Sequence, residues 1–215
     1  MALTKHIPNA ITSMNLLSGV LGVILTLEGR LEWALPLMIL AAVFDFCDGL
    51  AARLLGAYSP IGKELDSLAD LVSFGVLPAI MLYKVQPMEA PVLLRLLPLF
   101  VAVMSALRLA KFNVDERQTL DFLGLPTPSC AMVCGSLAYF LHTQGGVPAG
   151  AGPWLLAAVA VILGLLLVSE VPMFGMKIKK GHKLLDTKRI PFLVLAVFSV
   201  YIVENLIIAV IDTIG

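Results

Sequence analysis

The sequence predicts an all-α fold, a polytopic transmembrane helical bundle with six core spans and one extra. Three observations carry that prediction. The chain of 215 residues is 59% hydrophobic and only 14% charged, against about 45–50% and about 25% in an ordinary soluble domain. Its apolar residues fall into stretches of membrane-spanning length, and its basic residues fall mostly on one side of the bilayer those stretches define. A soluble globule of this size could not hide so much apolar surface, so a soluble enzyme, a disordered chain and a nucleic-acid binder are excluded.

A spanning helix needs about 20 mostly apolar residues. Seven stretches meet that test, at about 10–27, 33–55, 66–84, 91–112, 127–143, 153–171 and 191–211. The first has no small-residue cleavage site and reads as a retained span rather than a signal peptide. Pro87, Pro126 with Pro128, and the run from Gly145 to Pro153 mark joints between spans. The last stretch fits either a seventh span or a peripheral helix. The chain thus reads as one integral membrane domain over 1–215.

The 15 basic and 15 acidic residues cancel, but their placement is informative. With a cytoplasmic N-terminus, 12 basic residues fall on that side: Lys5, Arg53, Lys63, Arg108, Lys111, Arg117, Lys177, Lys179, Lys180, Lys183, Lys188 and Arg189. Only Arg30, Lys84 and Arg95 fall on the other. This positive-inside bias sets the orientation and makes 53–65, 112–126 and 172–190 cytoplasmic loops. The basic loop within 172–190 suits topology and anionic headgroups. Cys130 and Cys134, one turn apart, read as packing residues, and with Cys47 they form no disulfide framework. His6, His142 and His182 are scattered and read as surface residues. No catalytic triad spacing or phosphate-binding glycine loop appears.

The chemistry lies in four aspartates. Asp45 and Asp48 are three apart, and Asp66 and Asp70 four apart, so each pair shares a helix face. A short turn containing Ser59, Pro60 and Gly62 predicts antiparallel helices with the carboxylate pairs facing at one membrane end. Such a cluster repels itself and is costly to desolvate, and Arg53 and Lys63 offset only part of its charge. An all-oxygen set suits Mg²⁺ or Mn²⁺, and a shared carboxylate lets two ions sit together. Small residues Gly49, Ala52 and Gly56 continue the stripe from Asp45 and leave room beside it. The alternatives are a salt-bridged helix end and an ion pathway in a transporter. Against the pathway, the acids bunch at one end of the membrane.

The pattern Asp45-x-x-Asp48-Gly49-x-x-Ala52-Arg53, then eight residues, Gly62-x-x-x-Asp66-x-x-x-Asp70 resembles, without a departure, the signature of the CDP-alcohol phosphotransferases. The resemblance implies an integral membrane enzyme that moves a substituted phosphate from a CDP-linked donor to an alcohol and releases CMP. It implies a dimetal centre on Asp45, Asp48, Asp66 and Asp70, with Asp70 also the catalytic base. It places Asp48, Gly49, Ala52, Arg53 and Gly62 against the CDP. Arg53 would add a permanently charged phosphate clamp. Asn9 and Thr12 either cap the first span or join the CDP site.

Five further segments, in order, resemble the members of that family that take L-serine as acceptor and CDP-diacylglycerol as donor. They are Pro8-Asn9-x-x-Thr12-x-x-Asn15-Leu16-x-Ser18-Gly19, Ala69 to Pro78, Arg108 to Asn113, Phe122 to Pro128, and Ser169 to Pro172 with Lys177. Lys111 stands where an arginine is expected. Serine is a zwitterion and needs a cation for its carboxylate. Arg108, Lys111, Asn113 and Thr127 are the acceptor candidates, with Arg108 and Lys111 both able to point inward. The alternative for those two is snorkelling at a helix end, and for Pro126-Thr127-Pro128 a simple helix start. Ser73 and Gly75 read as small packing residues. An anionic acceptor, glycerol 3-phosphate or inositol phosphate, would want a denser basic pocket. The resemblance further implies a homodimer in the inner membrane, with its active site on the cytoplasmic face.

Overall fold

The computed structural model describes residues 6–114, 122–148, 150–170 and 172–173. The expected span at 191–211, the basic run from Lys177 to Arg189, and Lys5, Arg117 and His182 lie outside the described residues. Those described are helical apart from turns and one two-residue antiparallel ladder, β1 (Phe122–Leu123) with β2 (Pro172–Met173). The helices are α1 (Ile7–Leu27), α2 (Ala34–Leu55), α3 (Pro60–Asp70), α4 (Leu77–Val85), α5 (Val92–Leu96), α6 (Phe100–Val114), α7 (Thr127–Thr143) and α8 (Gly152–Val168). Four segments are long and apolar enough to cross a membrane: Ile7–Leu27, Leu31–Leu55, Pro60–Val85 and Val92–Val114. At 1.5 Å per residue each reaches about 30 Å. The expected stretch 127–143 coincides with α7, and α8 is a shorter apolar helix.

α1 is built inside out for a soluble helix. Its buried face carries Pro8, Thr12, Asn15, Ser18, Gly19, Gly22 and Thr26, while Met14, Leu17, Leu21 and Ile24 face outward. In a bilayer small residues let helices approach closely, and apolar ones meet lipid. The hydroxyls of Ser18 and Thr26 are satisfied by carbonyls one turn back, Met14 O and Gly22 O, both at 2.8 Å. α1 packs along α2 and against α3.

The expected loop at 53–65 is instead a four-residue turn, 56–59. Gly56 ends α2 with φ 59°, a left-handed conformation that only glycine adopts freely. Ser59 then caps α3, its Oγ accepting from Gly62 N at 3.0 Å, and Pro60 occupies the first turn. Arg53 and Lys63 are therefore helical. α3 runs through a π-helical segment, Leu71–Val76, into α4. Pro78 has no N–H for the carbonyl four residues back, and the π segment takes up that irregularity. π segments of this kind are frequent at functional sites.

The apolar core draws on Met38 of α2, Phe74 of the π segment, Leu77 and Met81 of α4, Val101 of α6, Cys130 and Cys134 of α7, and Leu167 of α8. Cys130 and Cys134 are buried with Sγ atoms 4.0 Å apart, as packing residues. Gly124, at φ +77°, lies against the end of α8, where a Cβ would stand 2.6 Å from Leu167 O. Leu125 N bonds Leu166 O there at 2.9 Å. Lys84 Nζ donates to Leu27 O at 3.0 Å, so the ends of α1 and α4 share one end of the bundle. The aspartates lie at the other.

Candidate active site

Two helices converge on the carboxylates. The C-terminal half of α2 supplies Asp45 and Asp48, and α3 supplies Asp66 and Asp70. One carboxylate oxygen from each of Asp45, Asp48 and Asp66 lies within 4.8 Å of the others. Asp70 is outside this trio and takes a hydrogen bond from Asn15 Nδ2 to its Oδ1 at 3.2 Å. Asp48 Oδ2 lies 2.6 Å from Thr12 Oγ1, which also lies 3.0 Å from Pro8 O. Its single proton serves one of the two at a time. Thr12 therefore does not cap α1, whose first turn has no side-chain cap.

Among the described residues the ion pairs are Lys111–Glu170 and His142–Glu32, and neither involves these four aspartates. Asp66 Oδ1 is buried with no hydrogen-bond partner. Lys63 Nζ is turned to Asn113 O at 3.0 Å. The trio is thus an uncompensated, partly buried, all-oxygen donor set. Three carboxylates this close fit a hard divalent cation, whose charge and oxygen preference match them.

Beside the trio opens a cleft of about 200 Å³, lined by Pro8, Asn9, Thr12, Asp48, Gly49, Ala52, Ala57, Tyr58, Ser59, Gly62, Lys63 and Asp66. Six of the seven residues that the sequence assigns to the CDP line it: Asn9, Thr12, Asp48, Gly49, Ala52 and Gly62. The seventh, Arg53, is exposed and does not line it. Its Nη2 lies 3.6 Å from where a Cβ on Gly49 would stand. Gly62 has no room for a side chain, since a Cβ would lie 2.9 Å from both Asn9 Oδ1 and Ser59 Oγ.

The acceptor candidates divide. Arg108 is 8% exposed and Thr127 wholly buried, and Arg108 Nη1 donates to Thr127 Oγ1 at 2.7 Å. Arg108 lies within electrostatic range of Asp70, and its Nε has no partner. Asn113 Nδ2 donates to Ser67 Oγ at 2.9 Å, tying α6 to α3. Lys111 does not point inward beside Arg108. Its Nζ lies 3.4 Å from Glu170 Oε1, with the side chain 38% exposed. That correction has a simple cause, because Glu170 at the end of α8 offers the ammonium a partially solvated partner. Pro126-Thr127-Pro128 does start α7, while Thr127 keeps its hydroxyl for Arg108. Sequence reasoning gave Asn15 no role, although an amide in an apolar span was the signal available.

The model of the CDP-alcohol phosphatidyltransferase family matches residues 5–173. The chain belongs to that family. Among its relatives is the CDP-diacylglycerol–serine O-phosphatidyltransferase of Bacillus subtilis (strain 168), 34% identical over 167 residues. That match covers 78% of this chain and 89% of the relative. The protein of the same name from Mycobacterium leprae (strain TN) is 36% identical over 184 residues, 82% of this chain and 59% of that longer protein. An archaetidylserine synthase of Methanothermobacter thermautotrophicus (strain Delta H) is 34% identical over 159 residues, 73% of this chain and 66% of its own length. The family match takes in α1 to α8 and therefore both the carboxylate trio and the cleft.

Proposed function

We propose that the protein transfers the phosphatidyl group of CDP-diacylglycerol to the hydroxyl of L-serine, giving phosphatidylserine and CMP. The observation that carries this reading is the carboxylate trio opening directly onto the cleft of the CDP candidates. The names of relatives at 34–36% identity supply the donor and acceptor. The chain acts as a single catalytic domain over 1–215 in the inner membrane, with six core spans and an extra one at 191–211. Its active site is on the cytoplasmic face, it works as a homodimer, and the loop at 172–190 meets anionic headgroups.

Asp45, Asp48, Asp66 and Asp70 would hold two divalent cations, Mg²⁺ or Mn²⁺. Bound there, the cations would neutralise the pyrophosphate and stabilise the departing charge. The cleft around Gly49, Ala52 and Gly62 takes the CDP moiety, and Arg53 approaches its phosphates from the rim. Outward-facing Phe46, Leu54 and Ile61 leave the acyl chains in lipid. Asp70 accepts the proton of the serine hydroxyl at Oδ2, the oxygen that Asn15 leaves free. The serine oxygen bonds to the phosphorus that carries diacylglycerol, and the bond from that phosphorus to CMP breaks. No side chain stands out as a covalent nucleophile, so displacement is direct. Arg108, held by Thr127, faces the serine carboxylate, with Asn113 and Lys111 nearer the mouth. Among the described residues Arg108 is the buried cation. One such charge suits one carboxylate better than a phosphate-bearing acceptor.

The test is CMP release by purified protein given CDP-diacylglycerol, Mn²⁺ or Mg²⁺, and a panel of acceptors. CMP that depends on L-serine supports the proposal, and Asp70→Asn abolishes it. CMP with glycerol 3-phosphate or inositol phosphate instead changes the acceptor. No CMP with any acceptor, alongside ion flux in liposomes, returns the cluster to a transport role.

A further inference from the structure

We propose that Asn15 is a positioning residue for Asp70, its amide fixing one carboxylate oxygen so that the other faces the acceptor hydroxyl. The proposal rests on the reading of Asp70 as the base.

Asn15 is wholly buried in a membrane-spanning helix. Its Nδ2 reaches Asp70 Oδ1 at 3.2 Å, while its own Oδ1 is buried with no partner. Turning the amide over would set oxygen against oxygen. A leucine of the same branched shape would avoid the cost of a half-satisfied buried amide. Among the described residues, the group that this amide serves is the Asp70 carboxylate.

The backbone of α1 is fastened at the same residue. Ser73 Oγ, three residues past Asp70 in the π segment, donates to Asn15 O at 3.1 Å. One turn along α1, Gly19 meets Ser73 so closely that a Cβ there would collide with its hydroxyl. Asp70 and Ser73 thus grip the side chain and the carbonyl of one residue, which fixes α1 and α3 in register at the carboxylate. Three residues earlier on the same face, Thr12 meets Asp48 of α2 at 2.6 Å. α1 therefore supplies one donor to each carboxylate-bearing helix. Orienting partners of this kind commonly carry about 10–100-fold in activity, and small misplacement of a reacting group is enough to cost that much.

The test compares Asn15→Leu, which keeps the branched shape and loses the donor, with Asn15→Gln, which is one methylene longer and keeps it. Positioning predicts that Asn15→Leu lowers kcat by about 10–100-fold while KM for CDP-diacylglycerol and for serine stay within about twofold. It also predicts that Asn15→Gln retains more kcat than Asn15→Leu. A packing role predicts the reverse order, because leucine keeps the branching at Cγ and glutamine does not, and that order overturns the proposal. So does wild-type kcat in Asn15→Leu. If Asn15→Leu does not fold, Asn15→Ala only removes atoms and carries the same expectation of lower kcat at constant KM. Asp70→Asn, assayed beside them, separates the two claims. An active Asp70→Asn refutes the base reading, whereas an inactive Asp70→Asn with unimpaired Asn15 variants refutes the positioning alone.

Discussion

Replacing Asp66 by asparagine has two opposite consequences. In protein stripped of divalent cations, Asp45, Asp48 and Asp66 hold oxygens within 4.8 Å of one another, with no cationic side chain paired to them among the described residues. At that separation each pair repels by about 3.5 kcal/mol in an effective dielectric of about 20, and by about 0.9 kcal/mol at the dielectric of water. Asp66→Asn removes two of these pairs and relieves between about 2 and about 7 kcal/mol. It loses no hydrogen bond at Asp66 Oδ1, which has none. The variant in EDTA is therefore more thermostable than wild type, by at least roughly 4–8 °C for a chain of this size. With Mn²⁺ or Mg²⁺ the order inverts, because wild type gains a ligand-linked stabilisation that the variant largely lacks. Thermal unfolding of detergent-solubilised protein, with EDTA and across a metal titration, reads both. A variant less stable than wild type in EDTA, or one that metal stabilises as strongly as wild type, refutes the reasoning.

Three further outcomes follow from the same geometry. Thr12→Val keeps the shape but removes the 2.6 Å hydrogen bond to Asp48 Oδ2. A bond to a charged group is worth about 1.5–3 kcal/mol, so kcat/KM falls roughly 10–100-fold in steady-state CMP release. Arg108→Met strips the buried partner from Thr127 and raises the serine KM by at least about tenfold, the cost of a lost charge-assisted bond. Lys111→Met loses only a partly exposed pair with Glu170, worth at most about 1 kcal/mol, and changes the serine KM by less than about fivefold.

The aspartate spacing was legible because i, i+3 and i, i+4 relations are local, and a helix turns them into shared faces without help from the rest of the chain. α7 was legible for a similar reason, bounded by Pro126-Thr127-Pro128 and by the glycines after Thr143. The bounds of the turn between α2 and α3 were not. Lys63 and Glu64 break the apolar run, so the helix start fell at Asp66, whereas Ser59 and Pro60 begin it six residues earlier at Pro60. The π segment was not legible either, since its extra residue per turn follows from Pro78 and from contacts with α1 and α6. The polar contacts that join one helix of the site to another cross long stretches of sequence: Thr12 to Asp48, Asn15 to Asp70, Lys111 to Glu170. These depend on how each helix is rotated about its axis. Tertiary packing sets that rotation, which is why Arg108 and Lys111 separate where their spacing allowed them to converge.

The central claim is that this constellation carries serine phosphatidyl transfer. Its most direct test follows L-serine and CMP together in one reaction of purified protein, CDP-diacylglycerol and Mn²⁺. The account predicts one phosphatidylserine formed for each CMP released, with both lost in Asp70→Asn. CMP released without serine incorporation, or phosphatidylserine formed undiminished by Asp70→Asn, would contradict it.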